Sequence, residues 1–515
     1  MTAIPPRSIE LWAQKKPHEA AIAEGSDSLT WADLDDAANR AAHALRALGV
    51  GPADVVAVRM HPRIEWGIVA GALAKLGCAM VGLNYRLTPG EIRHVIADSK
   101  TTVLVCDDAQ PAQLLPALEG LPIKLAISVD ADCPGFVPYA RLLEGRGEKL
   151  YAEADPRLII YTSGTTGQPK GVELDRSADL DEAALREFLK NRVIYTPFSD
   201  HDVTLINMPF HHAAGPMQFW ASMAQGNKVV LQRRFDAEDT LRIIAEHRVS
   251  HWTAVPTMFK RIAALPQAVQ DAADRSSLRE IRTGTAPITH ELKDWILRYF
   301  GEHLLHEVYG ASEIGVVAVL RPEMQRHKPA SCGLPLPYAK IEIRDADGSE
   351  LPTGQAGEMW VKSPVTISGY LNAPPLGPDT LDANGFFRTG DVGYKDEDGF
   401  LYITDRAKDM IIAGGVNIYP AEIEAVLQRH PAVLDAAVIG VPDDEFGERV
   451  FAFCELKPGK STDGAALIAH CEPLLASYKR PRQVFIMEEL PRNAMGKLLK
   501  KDLRAPYWKG KSRQV

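Results

Sequence analysis

Cysteine is sparse in this chain. Cys78, Cys106, Cys133, Cys332, Cys454 and Cys471 lie far apart, with no C-x-x-C pair among them. Such spacing offers neither a disulfide framework nor a metal-binding cluster, and it suits a reducing compartment. Long apolar runs are missing as well. Residues 66–83 (WGIVAGALAKLGCAMVGL) come nearest, but the stretch is short, carries Lys75 and is divided at Gly77. That is the pattern of a buried helix running into a strand, not of a membrane span, so no integral membrane segment is expected. The N-terminal MTAIPPRSIELWAQKKPHEA lacks the apolar core of a secretion signal, and a cytoplasmic protein is expected. Net charge is −9 and spread along the chain, without the concentrated basic face that nucleic acid requires. The basic end KKDLRAPYWKGKSRQV reads as a solvated tail. Internal repeats and low-complexity linkers are absent, and 515 residues exceed what one hydrophobic core organises, so two or more domains are expected.

What is present alternates. Thr30 precedes an amphipathic helix in which Leu34, Ala38, Ala41, Leu45 and Leu48 recur at three- and four-residue steps before Gly49. Short apolar strands follow between helices: DVVAVRM, AMVGL, TTVLVCD, LAISVD and RLIIYTS, then VTLINMP, KVVLQ, VSHWTAVP and SLREIRTGTAP. This order predicts an α/β fold with largely parallel sheets. After about Cys332 the style changes. AKIEIRDADGSELPTGQAGEMWVKSP alternates and turns at Asp347-Gly348, and GYKDEDGFLYITDRAKDMII reads as further hairpins. From Asn417 the pattern becomes helix, strand, strand, helix. The expected architecture is a large N-terminal domain (residues 1–406) of helix-flanked sheets with a β module, and a small C-terminal α+β domain (residues 407–515), with the boundary near Asp405 to Lys408.

Chemistry concentrates first in YTSGTTGQPKGV, residues 161–172. A Walker loop reads G-x-x-x-x-G-K-[ST]. Here Lys170 falls in register from Gly164, but Pro169 precedes it and Gly171 follows it. The segment leaves the end of the apolar strand RLIIY, where ligands bind in α/β sheets. Its glycines, hydroxyls and single lysine make an anion cradle. Either a decayed nucleotidase loop or a loop built for other chemistry on ATP satisfies those features.

Further segments decide between them. MPFHHAAG (208–215), TGTAPI (283–288), YGASE (309–313), RTGD (388–391), DRAKDMIIAGGVNIYPAEIE (405–424) and PRNAMGK (491–497) follow in order. Together with the 161–172 loop, the series resembles the adenylate-forming superfamily of acyl-CoA synthetases, adenylation domains and firefly-type luciferases, most closely a fatty- or aryl-acid acyl-CoA synthetase. The resemblance spans most of the chain and implies activation of a carboxylic acid by MgATP to an acyl-adenylate with release of pyrophosphate, then transfer to coenzyme A. A carboxylate oxygen leaves badly, and joining it to AMP supplies a leaving group. The charge that moves onto pyrophosphate has to be met by fixed donors, cations and Mg²⁺.

The resemblance also implies roles. Thr162, Ser163, Gly164, Thr165, Thr166, Gly167 and Lys170 would hold the β- and γ-phosphates. Tyr309 and Gly310 would lie against adenine, Ser312 near the α-phosphate, and Glu313 on the metal. Asp391 would accept the ribose hydroxyls, supported by Arg406. Lys497, in the small domain, would bridge the attacking carboxylate and the α-phosphate. Lys408 matches a hinge about which the small domain swings, bringing Gly414 and Gly415 to the pantetheine path. His211 matches a gate between acyl pocket and thiol tunnel, and Ala213, Ala214, Gly215, Thr283, Gly284, Thr285, Ala286 and Ala311 would line the pocket. No Asp stands between Phe210 and Trp220 to pair with a substrate ammonium, and no Arg is evident for a second carboxylate. An uncharged medium-chain, alicyclic or aromatic acid is therefore expected. ATP, Mg²⁺ and coenzyme A are the expected cosubstrates, with no tightly bound organic cofactor. One departure stands out: ELDRSADLDEAALREFLKNRVIY (173–195) is strongly acidic where the family usually carries a Ser/Thr-His-Arg-like helix start. The rival readings are an enzyme that loads a carrier-protein pantetheine or oxidises its adenylate, and a catalytically silent nucleotide-binding protein.

Overall fold

The computed structural model describes residues 8–145, 147–151, 157–163, 169–174, 199–286, 288–406, 409–413, 416–443, 445–493 and 496–509. Local signals in the sequence are realised closely at the start. Helix Trp31–Ala47 is capped reciprocally: the Asp33 amide donates to Thr30 Oγ1 and the Thr30 amide donates to Asp33 Oδ2, each at 3.1 Å. Of the predicted stripe, Leu34, Ala38, Ala41 and Leu45 are buried, whereas Leu48 caps the helix C-terminus and is exposed. The apolar run 66–83 is a buried helix, Ile64–Leu76, that ends at Gly77 and continues as strand Ala79–Gly82. No described helix is long and apolar enough to cross a membrane.

Among the described residues the strands form four sheets. In one large sheet, strands Glu280–Thr283, His251–Thr253, Val203–Ile206, Lys228–Leu231 and Ala20–Glu24 run parallel in that spatial order. Hairpins close both of its edges in antiparallel sense. The second large sheet runs Leu125–Ser128, Val103–Cys106, Val55–Arg59, Ala79–Gly82 and Leu158–Ser163 in parallel, with Pro169–Leu174 returning antiparallel at its edge. The main core joins Ile22 and Val229 of the first sheet to Val56 and Val58 of the second through Trp31, Trp66 and Phe219 of the intervening helices. In the second sheet, strands Val55–Arg59, Ala79–Gly82 and Val103–Cys106 bury near-continuous apolar runs, as strands covered on both faces do.

The β module is an antiparallel meander, Lys340–Arg344, Gly357–Lys362, Phe387–Lys395 and Leu401–Arg406. Beyond it lies the small α+β unit, in which helix Pro420–Gln428 is followed by the long hairpin Val433–Asp443 and Gly447–Leu456, then helix Gly464–Cys471. Its own apolar cluster includes Ile411, Ile423, Leu427, Val438 and Leu467. YGASE lies on a hairpin: strand Leu305–Ala311 turns at Ser312–Ile314 into the antiparallel strand Gly315–Leu320. Pairing across that hairpin satisfies backbone groups that a helix N-terminus would have left open.

Candidate active site

The parallel strands of both sheets end on one side of the molecule, where an α/β fold presents its ligand crevice. Hairpin Leu158–Ser163/Pro169–Leu174 carries the anion-loop ends, with Thr162 opposite Lys170 in register. Gly164, Thr165, Thr166 and Gly167 lie outside the described residues, as do Lys408, Gly414, Gly415 and most of the acidic 173–195 segment. The hairpin is anchored from below: Tyr161 donates to Asp98 at 2.6 Å, and His94 Nε2 contacts the Pro169 carbonyl at 2.9 Å.

Residues 367–371 fasten this hairpin to the YGASE turn. The Leu371 amide donates to the Gly171 carbonyl at 2.8 Å, and the Ile367 amide donates to the Glu313 carbonyl at 2.9 Å. Tyr370 completes the join: the Lys170 ammonium lies 4.8 Å from its ring centroid, and its hydroxyl donates to Glu313 Oε1 at 3.2 Å. A cation and a carboxylate more than a hundred residues apart are thus presented on one aromatic ring. Burial, followed by the Glu313 charge, pushes the Tyr370 phenol up, so it remains a donor. Sequence reasoning missed Tyr370, because nothing local marks it and its partners are distant.

A second group forms at the β module. Asp391 Oδ2 accepts from the Tyr309 hydroxyl and Asp391 Oδ1 pairs with Arg406 Nε, both at 2.7 Å. Asp391 and Arg406 are cross-strand neighbours, which fixes their pairing. Tyr309 itself is buried in the main core, and burial reinforced by the Asp391 charge raises its phenol well above the ordinary range. Its hydroxyl therefore orients the carboxylate that the sequence assigns to ribose.

His211 sits where the two sheets meet. Gly82 ends its strand against the next segment so closely that a Cβ there would lie 2.8 Å from His211 Cα and 3.1 Å from the Phe210 carbonyl oxygen. Helix Ala214–Gln225 follows, with Ala213 at its N-cap. Burial pushes the His211 imidazole down to about 2, helped by neighbouring His212, and burial takes His212 down to about 4. Both nitrogens of His211, together with His212 Nε2, Gln218 Oε1 and Trp220 Nε1, have no hydrogen-bond partner among the described residues. The wall leading along this helix is therefore studded with neutral polar atoms.

The floor opposite is polar as well. Thr253, Arg282 and His306 are in register across three parallel strands and so share one face. Gln218 Nε2 donates to Thr253 Oγ1 at 2.9 Å, which sets this face toward the helix. Arg282 lies on this face, and its charge is compensated by its ion pair with Glu280. Thr283 takes the other face: it is in register with Glu307, which pairs with Lys293 of helix His290–Phe300. It does not line the Gln218 side. Thr285 has φ +68°, a conformation rare outside glycine and concentrated at functional loops. Gly284 and Ala286 flank it, while Gly310, Ala311 and Ser312 lie at the tip of the neighbouring hairpin.

Lys497 belongs to a tight loop of the small domain, where its amide donates to Asn493 Oδ1 at 3.0 Å and its side chain is exposed. That loop rests on helix Pro256–Ala263. Gly496, at φ +72°, approaches Thr257 so closely that a Cβ would meet Thr257 Oγ1 at 2.5 Å. Lys260 of the same helix pairs with Asp435 at 3.2 Å, and Arg492 pairs with Asp435 at 2.8 Å. Between the domains lies a cavity of about 1420 Å³, bounded by His61, Tyr85, Arg86, Asp107, Arg234 and Arg261 on the large side and Arg492 and Asn493 on the small side.

Comparison with known proteins gives two family matches: AMP-binding enzyme over residues 9–371, and AMP-binding enzyme C-terminal domain over residues 422–497. The chain is 33% identical to the fatty acid–[acyl-carrier-protein] ligase ScoC of Streptomyces coeruleorubidus, over 98% of this chain and 96% of that protein. It is also 33% identical to the indoleacetate–CoA ligase of Aromatoleum aromaticum, over 96% of each. Among solved structures, the o-succinylbenzoate CoA synthetase of Bacillus subtilis, in complex with the acyl-adenylate OSB-AMP, superposes with a TM-score of 0.83 and 31% identity, covering 97% of this chain and 98% of that one.

Proposed function

The chain belongs to the AMP-binding enzyme family and is an AMP-forming acyl-CoA ligase of the adenylate-forming type; from that premise we propose the residues, the acid and the path by which it works. The observation that carries the assignment of the nucleotide end is the meeting of Lys170 and Glu313 on Tyr370. Lys170 and the hydroxyls of residues 162–166 would take the β- and γ-phosphates, and Asp391, oriented by Tyr309 and Arg406, would take the ribose. Glu313, a carboxylate that accepts from the neutral Tyr370 phenol, fits a Mg²⁺ ion that keeps most of its ligands from phosphate and water. When bound, that ion would neutralise charge building on pyrophosphate. Lys497 would bring the acid carboxylate and the α-phosphate together against their mutual repulsion.

The two half-reactions need different groups at one centre. We assign residues 1–406 to the fixed domain and 407–515 to a moving one that offers Lys497 for adenylation and the 414–415 loop for thiol transfer. Arg86, Arg234 and Arg261 around the interdomain cavity suit the phosphates of coenzyme A. His211, kept neutral by burial, would separate that cavity from the acyl pocket without adding charge. Six free cysteines suit a cytoplasmic setting.

For the acid, we propose an uncharged medium-chain, alicyclic or aromatic compound. An aromatic acid with a hydrogen-bonding substituent is favoured by the unpartnered polar atoms of Gln218 and Trp220 and by the compensated Arg282–Glu280 pair. A site built to hydrogen-bond a substituent discriminates strongly against the analogue that lacks it. The test is acid-dependent pyrophosphate release and thioester formation with matched hydroxylated and unsubstituted aryl acids beside alkanoates. Preference for the hydroxylated acid with coenzyme A is expected, and preference for plain alkanoates would reject the acid class. A carrier-protein acceptor is the second reading, favoured by the similarity to ScoC; thioester formed only on a phosphopantetheinylated carrier would establish it.

A further inference from the structure

Three neighbouring parallel strands end together at the interdomain cavity. Val103–Cys106 delivers Asp107, Val55–Arg59 delivers His61, and Ala79–Gly82 delivers Tyr85. The His61 amide and His61 Nδ1 both donate to Asp107 Oδ2 at 2.9 Å. Burial lifts the Asp107 carboxyl, but the His61 hydrogen bonds outweigh it and hold the group below the usual carboxylate range. An ionised carboxylate only accepts, so Nδ1 carries a proton, and Nε2 is the ring nitrogen left to take one. The Asp107 side chain is 3% exposed and the His61 side chain 15% exposed, so the carboxylate is sealed while the ring borders the cavity. His61 stacks on Tyr85 at 4.4 Å between centroids, and Tyr85 meets the His211 ring edge-on at 4.8 Å. Other groups facing this assembly are Arg63, 3.8 Å from Asp107 and itself paired with Glu65 and Asp130, and Arg59, Arg86 and Arg234 near His211 and Tyr85. The sequence reading carried Asp107 only as the end of the strand TTVLVCD and did not single out His61.

We propose that His61, oriented by Asp107, is the base that takes the proton from the acceptor thiol in the second half-reaction. This rests on the thiol-transfer reading above. The thiol S–H gives its proton to His61 Nε2. The sulfur pair forms the C–S bond at the acyl carbon of the adenylate, and the acyl C–O bond breaks with its electron pair leaving on AMP. Asp107 stabilises the imidazolium until the proton passes to solvent through the cavity. An ordinary thiol titrates near 8.5, so near neutral pH only a few per cent is thiolate and a base has work to do.

The experiment separates the half-reactions in the full-length protein. Acid-dependent pyrophosphate release in single turnover without coenzyme A reports adenylation. Conversion of the enzyme-bound acyl-adenylate to thioester on adding coenzyme A reports the second step. His61→Gln is expected to keep the first within about twofold and to lose the second about 100-fold at pH 7. The loss should shrink toward pH 9, where the thiol ionises unaided. Asp107→Asn should lose the second step in the same pH-dependent way but less, and it decides the matter where His61→Gln does not fold. Unchanged thioester formation, or a loss equal at pH 7 and pH 9, would overturn the proposal. Absence of acid-dependent pyrophosphate release from the unsubstituted enzyme would instead overturn the reading beneath it.

Discussion

His211 is a buried imidazole whose proton affinity is tied to stability. Its folded-state value, about 2, lies far below the ordinary 6.5 because of burial and neighbouring His212. The unfolded chain therefore takes up the proton first. Stability is complete above about pH 6.5 and is lost as pH falls below it, by about 2 kcal/mol at pH 5 from this residue alone. His211→Phe removes the term and the two unpartnered nitrogens together. Urea unfolding at pH 7.5 and pH 5.0 should show a smaller acid loss in the variant by about that amount; equal losses would mean that His211 is protonated in the folded protein. At this scale much was legible. Asp391 and Arg406 were named from RTGD and DRAK, and the structure pairs them at 2.7 Å. Tyr309 was placed against adenine, yet its hydroxyl binds Asp391, a contact between residues 82 apart that no local pattern encodes.

Elements were legible where the rule is local and silent where pairing is long-range. Thr30 announced a helix start, which Asp33 completes as a reciprocal cap, and Gly77 announced a stop, because caps act within one turn. The row Thr253–Arg282–His306 exists only through the register of three parallel strands. Arg282, paired with Glu280, was accordingly invisible in sequence. The grouping of Asp107, His61 and Tyr85 has the same origin. Strand ends also set the steric limits of the site. Gly82→Ala would press a methyl against the His211 backbone and should cost about 1–3 kcal/mol, read as a lowered Tm. Gly90→Ala, in an open position of helix Pro89–Asp98, is the control and should be neutral or slightly stabilising. Equal shifts in the two variants would show that the Gly82–His211 approach is not tight.

Across the whole molecule, contacts among the described residues that join the small domain to the large one include Lys260 with Asp435, Gly496 against Thr257 and the Ala421 amide donating to Asp405. Asp435 is buried, and although burial raises its carboxyl, Lys260 and Arg492 bring it below the ordinary range. Arg492 belongs to the same domain as Asp435, so Lys260 is the half of the clamp that crosses the interface. Lys260→Ala leaves the carboxylate partnered and should preserve Tm within about 2 °C while speeding limited proteolysis near residues 406–411. Unchanged proteolysis would place the docking energy elsewhere, in the seat of Gly496 on Thr257. A clamp this small suits a domain that exchanges positions between half-reactions. The measurement that tests that account most directly is a half-reaction comparison of Lys497→Ala with the unsubstituted enzyme. Pyrophosphate release is followed with MgATP and an accepted aryl acid, and thioester formation is followed from supplied acyl-adenylate and coenzyme A. The account predicts a loss of pyrophosphate release by about 100-fold or more with thioester formation from the supplied adenylate nearly unchanged. Equal loss of both steps, or of neither, would contradict it.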